Sequence, residues 1–248
     1  MGIHLPIRNH GSSPHSRMGP VPMEDPRGRD SDSLPKDALK SPSYFATTML
    51  GITAKSLAEH IKSSHQTLQK RARVRILTSP FQRTLNTASI IKTQFRTSFS
   101  SSPATTTTTP EITLEAGLYV TPDLRERFFG EFEMQTPSDH LYNRVWAADA
   151  QDPFHELFDV ESVADVTKRV TAVIRAQEGR QEDDEGKEEE EEVWVVLVSH
   201  GDSLQILQTA MRGWSGDRHR QLEHLETANW RVVEWCPELQ AAHQSSRS

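Results

Sequence analysis

The stretch VWVVLVSHGD, residues 193–202, decides the fold of this chain of 248 residues. Its first six residues are apolar and mostly β-branched, which is typical of a strand that is buried on both faces of a parallel sheet. Polar residues and Gly201 follow at once, and apolar residues then recur at helical spacing from Leu204 to Met211. A buried strand that leads directly into a helix is the repeating unit of α/β folds.

The same alternation of strand and helix recurs along the rest of the chain. Further strands are predicted at Ile3 to Ile7, Val74 to Thr78, near Leu118, and Trp230 to Trp235. Further helices are predicted at Gly51 to Ile61, Phe81 to Phe95, and Val163 to Val173. The pattern predicts an α/β fold of three layers, with a mostly parallel sheet and helices on both of its faces.

Three polar stretches interrupt this pattern. Insertions are expected near residues 17–47, which are rich in proline, 97–110, which are mostly Ser and Thr, and 178–192, which are mostly acidic. Residues 1–236 would then form a single domain, and residues 237–248 a disordered tail.

Charge and cysteine content exclude several classes of protein. The run from Glu182 to Glu192 contributes −8 to the formal net charge of −7, so the remainder is nearly neutral at +1. This balance argues against a nucleic-acid or anionic-membrane partner. Cys236 is the only cysteine, which excludes an intramolecular disulfide and fits a reducing, cytoplasmic location. Neither a signal peptide nor an apolar run of the roughly 18 residues that cross a bilayer is expected.

Polar segments follow the predicted strands, at the edge of a parallel sheet where ligands bind. They are Arg8 to Gly11, Ser79 to Thr84, Leu124 to Gly130 and Ser199 to Asp202. Two histidines, an arginine and a carboxylate from these segments suit a phosphoryl group. An imidazole can attack phosphorus, a guanidinium and the amides of a helix N-terminus can bind its oxygens, and a carboxyl group can protonate the leaving oxygen.

These segments resemble the histidine phosphatase superfamily, in its phosphoglycerate-mutase-like branch. Three family motifs are complete: Ser-x-x-x-Arg-x-x-x-Thr-Ala at Ser79 to Ala88, Leu-x-Glu-x-x-x-Gly at Leu124 to Gly130, and Ser-His-Gly at Ser199 to Gly201. The segment from Glu161 to Val170 also resembles the helix that precedes the last motif in the family. The similarity covers most of residues 3–235.

The resemblance implies a role for each matching residue. His10 would be the phosphorylated nucleophile, Glu126 would be the proton donor, and His200 would complete the catalytic set. Residues that would bind the phosphate of the substrate are Arg8, Asn9, Gly11, Ser16, Arg83 and Gly201. No metal and no cofactor is expected, because the guanidinium and the imidazoles supply the positive field.

The opening motif departs from the family pattern. Asn9 stands where the family has its first arginine, and Ser16 stands where it usually has asparagine. The loss of a charge-assisted hydrogen bond costs roughly 1.5 to 3 kcal/mol, on the order of 10- to 100-fold in rate. Arg8 and Arg17 are the candidates for a replacing cation.

Three functions follow from this pattern. The preferred one is a phosphomonoester hydrolase that works through phosphohistidine on a small phosphorylated substrate. The alternatives are a mutase of the phosphoglycerate type and a phosphate-binding scaffold that lost turnover with its first arginine. A surface ion pair with Arg125 or Arg127 is the structural alternative for Glu126, and a solvated helix end is expected for His219 and His224. The sequence defines neither the substrate nor the oligomeric state.

Overall fold

The computed structural model describes residues 2–7, 42–68, 71–100, 111–133, 135, 139–182 and 191–233. The strands in this part of the chain are β1 (Gly2–Ile7), β2 (Arg71–Thr78), β3 (Ile112–Leu114), β4 (Tyr119–Val120), β5 (Glu191–Val198) and β6 (Trp230–Val232). The α-helices are α1 (Pro42–Leu68), α2 (Gln82–Ser100), α3 (Asp139–Asp149), α4 (Val163–Glu182) and α5 (Gly201–Met211). None of these helices combines the length and the hydropathy that a membrane span requires.

The strands form one sheet in the order β3, β2, β5, β1, β6, and β4 pairs with the end of β2 beyond β3. The ladder between β2 and β5 is parallel and runs over the full length of both strands, from Arg71 opposite Glu191 to Thr78 opposite Val198. The pairs β2–β3, β2–β4 and β1–β6 are also parallel. The predicted, mostly parallel sheet is therefore confirmed.

Strand β5 lies between two hydrophobic cores. Val193, Val195 and Leu197 pack with apolar side chains of α4 and α5 on one face of the sheet. The alternate residues Trp194, Val196 and Val198 pack with side chains of α1 and α2 on the other face. Burial of each large apolar side chain stabilises the fold by roughly 1.5 to 3 kcal/mol. Helices on both faces give the three layers that the continuous apolar run of β5 predicts.

Regular structure extends further into the predicted insertions than the composition indicates. Helix α1 begins at Pro42, because the first position of a helix does not need a backbone N–H donor. Helix α2 continues to Ser100, and the hydroxyls of Thr93 and Thr97 each donate to the carbonyl four residues earlier. Helix α4 continues to Glu182. Strand β5 begins at Glu191, inside the third predicted insertion. The remaining residues of the three insertions and the predicted tail lie outside the described residues.

The first strand runs in the direction opposite to the one expected. Strand β1 pairs antiparallel with β5, so Ile7 lies opposite Val193 and Gly2 lies opposite Val198. The prediction that the carboxyl end of the first strand shares an edge with the end of β5 is therefore wrong for β1. A short connection between a strand and the next helix fixes the direction of the strand. The connection between β1 and α1 comprises residues 8–41, which is long enough to reach α1 with β1 in either direction.

The segment from Leu124 to Gly130 ends in a close approach of two backbones. Gly130 has a φ of 53°, and a Cβ atom built there would lie 2.1 Å from the carbonyl oxygen of Phe158. The neighbouring atoms are backbone and cannot move aside as a flexible side chain does. Only glycine fits at this position, which explains the last residue of the Leu-x-Glu-x-x-x-Gly motif.

We expect Gly130→Ala to lower the free energy of unfolding by at least about 2 kcal/mol, because the left-handed backbone and the clash act together. Urea denaturation of the purified protein measures the change. Gly117→Ala is the matched control, since a Cβ atom there meets nothing within 4 Å. Its effect should stay within about 0.5 kcal/mol. Equal stability of the two variants would contradict this account.

Candidate active site

The junction of β5 and α5 organises the candidate site. His200 is the N-cap residue of α5, and its carbonyl accepts the amide of Leu204 at 2.9 Å. The hydroxyl of the preceding Ser199 donates to the carbonyl oxygen of Leu124 at 2.7 Å. The Ser-His-Gly motif therefore anchors the loop that carries Glu126 to the end of the buried strand.

The guanidinium of Arg83 contacts the ring of His200 directly. Its Nε and Nη2 lie 3.1 and 2.8 Å from Nδ1 of His200. A guanidinium can only donate, so Nδ1 is the acceptor and the ring proton resides on Nε2. Nε2 then donates to the hydroxyl of Ser79 at 2.8 Å. The three side chains thus hold a neutral His200 in one tautomer and one orientation.

The electrostatics of His200 agree with this neutral form. Burial, followed by the positive charge of Arg83, lowers the pKa of His200 from 6.5 to about 4. His200 therefore carries no charge at neutral pH in the arrangement described. An anion placed against the ring would act in the opposite sense and raise its pKa.

Phe81 forms an aromatic wall over this contact. Its ring lies 5.0 Å from the ring of His200 in an edge-to-face arrangement, and the Arg83 guanidinium lies 4.9 Å from its centroid. Helical spacing assigns Phe81 to the buried face of α2, but the helix begins at Gln82 and the buried face consists of Thr84, Ala88, Ile91 and Phe95. Phe81 is instead 40 % exposed and belongs to the site.

Glu126 lies at the N-terminus of α5. Its Oε1 accepts the amides of Arg127 at 3.0 Å and Ser203 at 3.2 Å, and the hydroxyl of Ser203 at 3.3 Å. Burial, followed by the negative charge of Asp202, raises the pKa of Glu126 above its ordinary value. The carboxyl group therefore keeps its proton to higher pH than an exposed glutamate does.

The surface ion pair considered as the alternative for Glu126 is not formed with either neighbour. Arg125 pairs with Glu161, and Arg127 pairs with Asp149 and Asp202 in the interior. Of the predicted site residues, the structure thus brings Arg83, Glu126, His200 and Gly201 to one end of the sheet. Arg8, Asn9, His10, Gly11 and Ser16 lie outside the described residues.

A buried ionic cluster, which we call the Arg127 cluster, lies next to Glu126 and fixes the segment that carries it. The side chain of Arg127 is completely buried, and its two terminal nitrogens bind both carboxylate oxygens of Asp149 at 2.7 and 2.8 Å. Asp202 lies 3.3 Å from the same guanidinium. His155 binds Asp149 at 2.8 Å, and His219 lies 3.7 Å from it. The cluster thereby ties α3 and α5 to the segment that carries Glu126.

The Arg127 cluster corrects one prediction and adds residues that the sequence did not indicate. His219 was expected at a solvated helix end, but its side chain is fully buried against Asp149. His219 reaches the interior because a 3-10 turn, Gly216–Gln221, folds back over α5, whereas Arg218 and Arg220 in the same turn are exposed. Asp149 and His155 lie in a stretch without a recognisable pattern, so only the folded chain identifies them.

Arg169 of α4 also holds the segment that carries Glu126. It donates to Glu161 at 2.8 and 3.0 Å and to the carbonyl oxygens of Asp123 at 2.7 Å and Arg125 at 3.0 Å. The resemblance of residues 161–170 to a family helix is the only sequence signal for this role. Among the described residues, no group of three or more His, Cys, Asp or Glu side chains is arranged to hold a metal ion.

Comparison with known proteins gives a family and several similar folds. The sequence model of the histidine phosphatase superfamily (branch 1) matches residues 53–245. No curated protein matches the chain.

Among solved structures, the mycobacterial glucosyl-3-phosphoglycerate phosphatase in complex with VO3 is 18 % identical, covers 73 % of each chain and has a TM-score of 0.49. The complex of the same phosphatase with inorganic phosphate is 19 % identical, covers 73 % of each chain and has a TM-score of 0.47. A structure described as mycobacterial hydrolase 2 is 16 % identical over 81 % of this chain and 86 % of that chain, with a TM-score of 0.49. Similarity at this level does not transfer a substrate to this chain.

The depressed pKa of His200 predicts a loss of stability in acid. The unfolded chain takes up a proton on His200 near pH 6.5 and the folded chain only near pH 4, so stability is full above pH 6.5 and falls as the pH approaches 4. Relative to His200→Gln, the free energy of unfolding of the wild type should fall by about 3 kcal/mol between pH 7 and pH 4. Urea denaturation at several pH values measures it. A constant difference between the two proteins would refute the assignment.

The influence of Asp202 on Glu126 is also measurable. Asp202→Asn removes a negative charge but keeps an oxygen for Arg127, so the pKa of Glu126 should fall. ¹³C NMR titration of glutamate-labelled protein reports this pKa, and Glu126→Gln identifies the resonance by its loss. Glu131→Gln, which removes an exposed charge from the same loop, is the control and should leave the pKa unchanged. An unchanged pKa in Asp202→Asn would show that burial alone sets the value.

Proposed function

Since this chain belongs to the histidine phosphatase superfamily, we propose that it hydrolyses a phosphate monoester at the junction of β5 and α5. The observation that carries the proposal is the contact of the Arg83 guanidinium with the ring of His200, beside the first turn of α5. A fixed cation, an imidazole and the backbone amides of a helix N-terminus are together suited to bind a dianion. Glu126 supplies a carboxyl group next to them.

Phosphate binding would change the state of His200. The oxygens of a phosphoryl group compete with Nδ1 for the two donors of Arg83, since the guanidinium binds a charged acceptor more strongly than a neutral ring. The nearby dianion also raises the pKa of His200, so the ring takes up a proton and becomes a second donor. The pair then stabilises the charge on the equatorial oxygens during transfer.

Glu126 would act as acid in the first step and as base in the second. A histidine nitrogen attacks phosphorus and forms a P–N bond, while the P–O bond to the alcohol breaks and Glu126 gives its proton to the departing oxygen. Water then attacks phosphorus, the P–N bond breaks, and Glu126 takes the proton from the water. The raised pKa of Glu126 suits the first role, because the carboxyl group holds its proton more readily than an exposed glutamate does.

The nucleophile proposed from the motif is His10, and this role makes a demand on the first strand. From Val193 to Val198, β5 covers about 16 Å at 3.3 Å per residue. With Ile7 opposite Val193, the three residues from Ile7 to His10 reach at most about 10 Å. Transfer to His10 therefore requires an arrangement of β1 other than the antiparallel pairing with β5.

A phosphate-binding protein without turnover is the second candidate, and two observations favour it. Asn9 replaces the arginine of the opening motif, and β1 is antiparallel to β5. Such a protein would use Arg83 and His200 to bind an anion and would form no phosphohistidine.

The experiment that decides between them measures turnover and labelling together. The full chain is mixed with ³²P-labelled alkyl phosphates, quenched rapidly and tested for acid-labile phosphoprotein. For the hydrolase, His10→Ala should lose label and at least about 10³-fold in turnover, and Arg83→Ala should lose about 10- to 100-fold. His224→Ala, which removes an exposed histidine, is the matched control and should behave as the wild type.

The other outcomes assign the other functions. A wild type that binds inorganic phosphate through Arg83 but neither labels nor turns over would be the phosphate-binding protein. A phosphorylated sugar acid, which has a second hydroxyl to accept the phosphoryl group, tests the mutase, and an isomerised product without net release of phosphate would identify it. Turnover that survives His10→Ala would overturn the role of His10.

A further inference from the structure

A cleft of about 440 Å³ lies between α4 and the loop that follows α5. Its lining includes Phe154, Lys168, Thr171, Arg175 and Trp214. Arg83, Glu126, His200 and Gly201, the described residues of the proposed phosphate site, are not among them. The volume falls within the range of roughly 300 to 1,000 Å³ that is common for small-molecule sites.

One wall of the cleft is a single face of α4. Ala164, Lys168, Thr171 and Arg175 follow one another at intervals of four, three and four residues, so they share that face. The opposite face of the helix is the buried series from Val163 to Ile174 that packs on the sheet. Ala164 and Thr171 are small and leave space, while Lys168 and Arg175 place cations beside it. The hydroxyl of Thr171 donates to the carbonyl of Thr167 at 2.8 Å, so this donor is satisfied within the helix.

The facing wall is an aromatic side chain held in place by its neighbours. The amide of Trp214 donates to the carbonyl of Thr209 at 3.0 Å, and the turn before it is made by Gly213 with a φ of 66°. The guanidinium of Arg218 lies 4.4 Å from the centroid of the Trp214 indole. Gly216 packs so closely that an added Cβ atom would lie 2.9 Å from Val163. The wall is therefore preorganised.

The charges and the exposed apolar surface indicate the kind of ligand. Lys168 and Arg175 line the cleft, and none of its lining residues in the described part of the chain is an aspartate or a glutamate. Phe154, which lines the cleft, is 56 % exposed and adds apolar surface to it. An apolar ligand body would cover Phe154 and Trp214, and an anionic group on it would meet Lys168.

We infer that this cleft between α4 and Trp214 binds a small amphiphilic anion, an aromatic body that carries one acidic group. The inference does not depend on the proposed phosphatase activity, because Arg83, Glu126 and His200 do not line the cleft. It adds a second ligand site to the chain.

The probe for this site is 8-anilinonaphthalene-1-sulfonate, whose fluorescence rises when it leaves water. Titration of the full chain should show saturable binding, and Lys168→Glu should weaken it by about 10-fold. Lys55→Glu makes the same charge change on the exposed face of α1 and should leave the affinity unchanged. Ala164→Phe, which fills the cleft without changing charge, should abolish binding while thermal unfolding shows that the variant is folded.

Three results would overturn the inference. The first is equal weakening by Lys168→Glu and Lys55→Glu, which would indicate general attraction to positive charge. The second is displacement of the probe by inorganic phosphate, which would place it at Arg83 and His200. The third is the absence of saturable binding to the wild type.

Discussion

The parallel ladder between β2 and β5 is the constraint on which the candidate site depends. It pairs Thr78 with Val198, so the chain leaves both strands at the same height and on the same edge of the sheet. Ser79 and Arg83 on one side, and His200 on the other, reach hydrogen-bond distance for this reason. A slip of one residue in this ladder would also turn every β5 side chain to the wrong core.

Two arginines, the buried Arg127 and the partly buried Arg169, connect the Glu126 loop to the helices around it. Arg127 joins the Glu126 loop to α3 and α5 through Asp149 and Asp202, and Arg169 joins it to α4 through Glu161 and backbone carbonyls. Removal of one partner from such a buried pair costs roughly 3 to 5 kcal/mol. Burial, followed by the charge of Asp202, raises the pKa of Glu126, and Asp202 also pairs with Arg127, so the support of the loop and the acidity of its carboxyl group are coupled.

Local pattern predicted the parts of the fold that depend on local rules. The apolar run of β5 indicated a strand between two layers of helices, and the motifs after β2 and β5 indicated Arg83 and His200. Three features depend on distant contacts and were not predicted correctly or at all. They are the direction of β1, which a long connection leaves free, the burial of His219, which needs Asp149 as a partner, and the exposure of Phe81 over the site. Gly130 was predicted in part. The motif identified the glycine from the sequence, but the reason for it, the close approach of the Phe158 backbone, is visible only in the structure.

The alternation of β5 side chains between two cores has a consequence for how the protein comes apart. Each of the two hydrophobic layers is closed on one side by the same strand, so neither can melt while the other keeps its full set of contacts. The helices on opposite faces of the sheet, although they do not share a core, are therefore tied into one cooperative unit through the backbone of a single eight-residue strand.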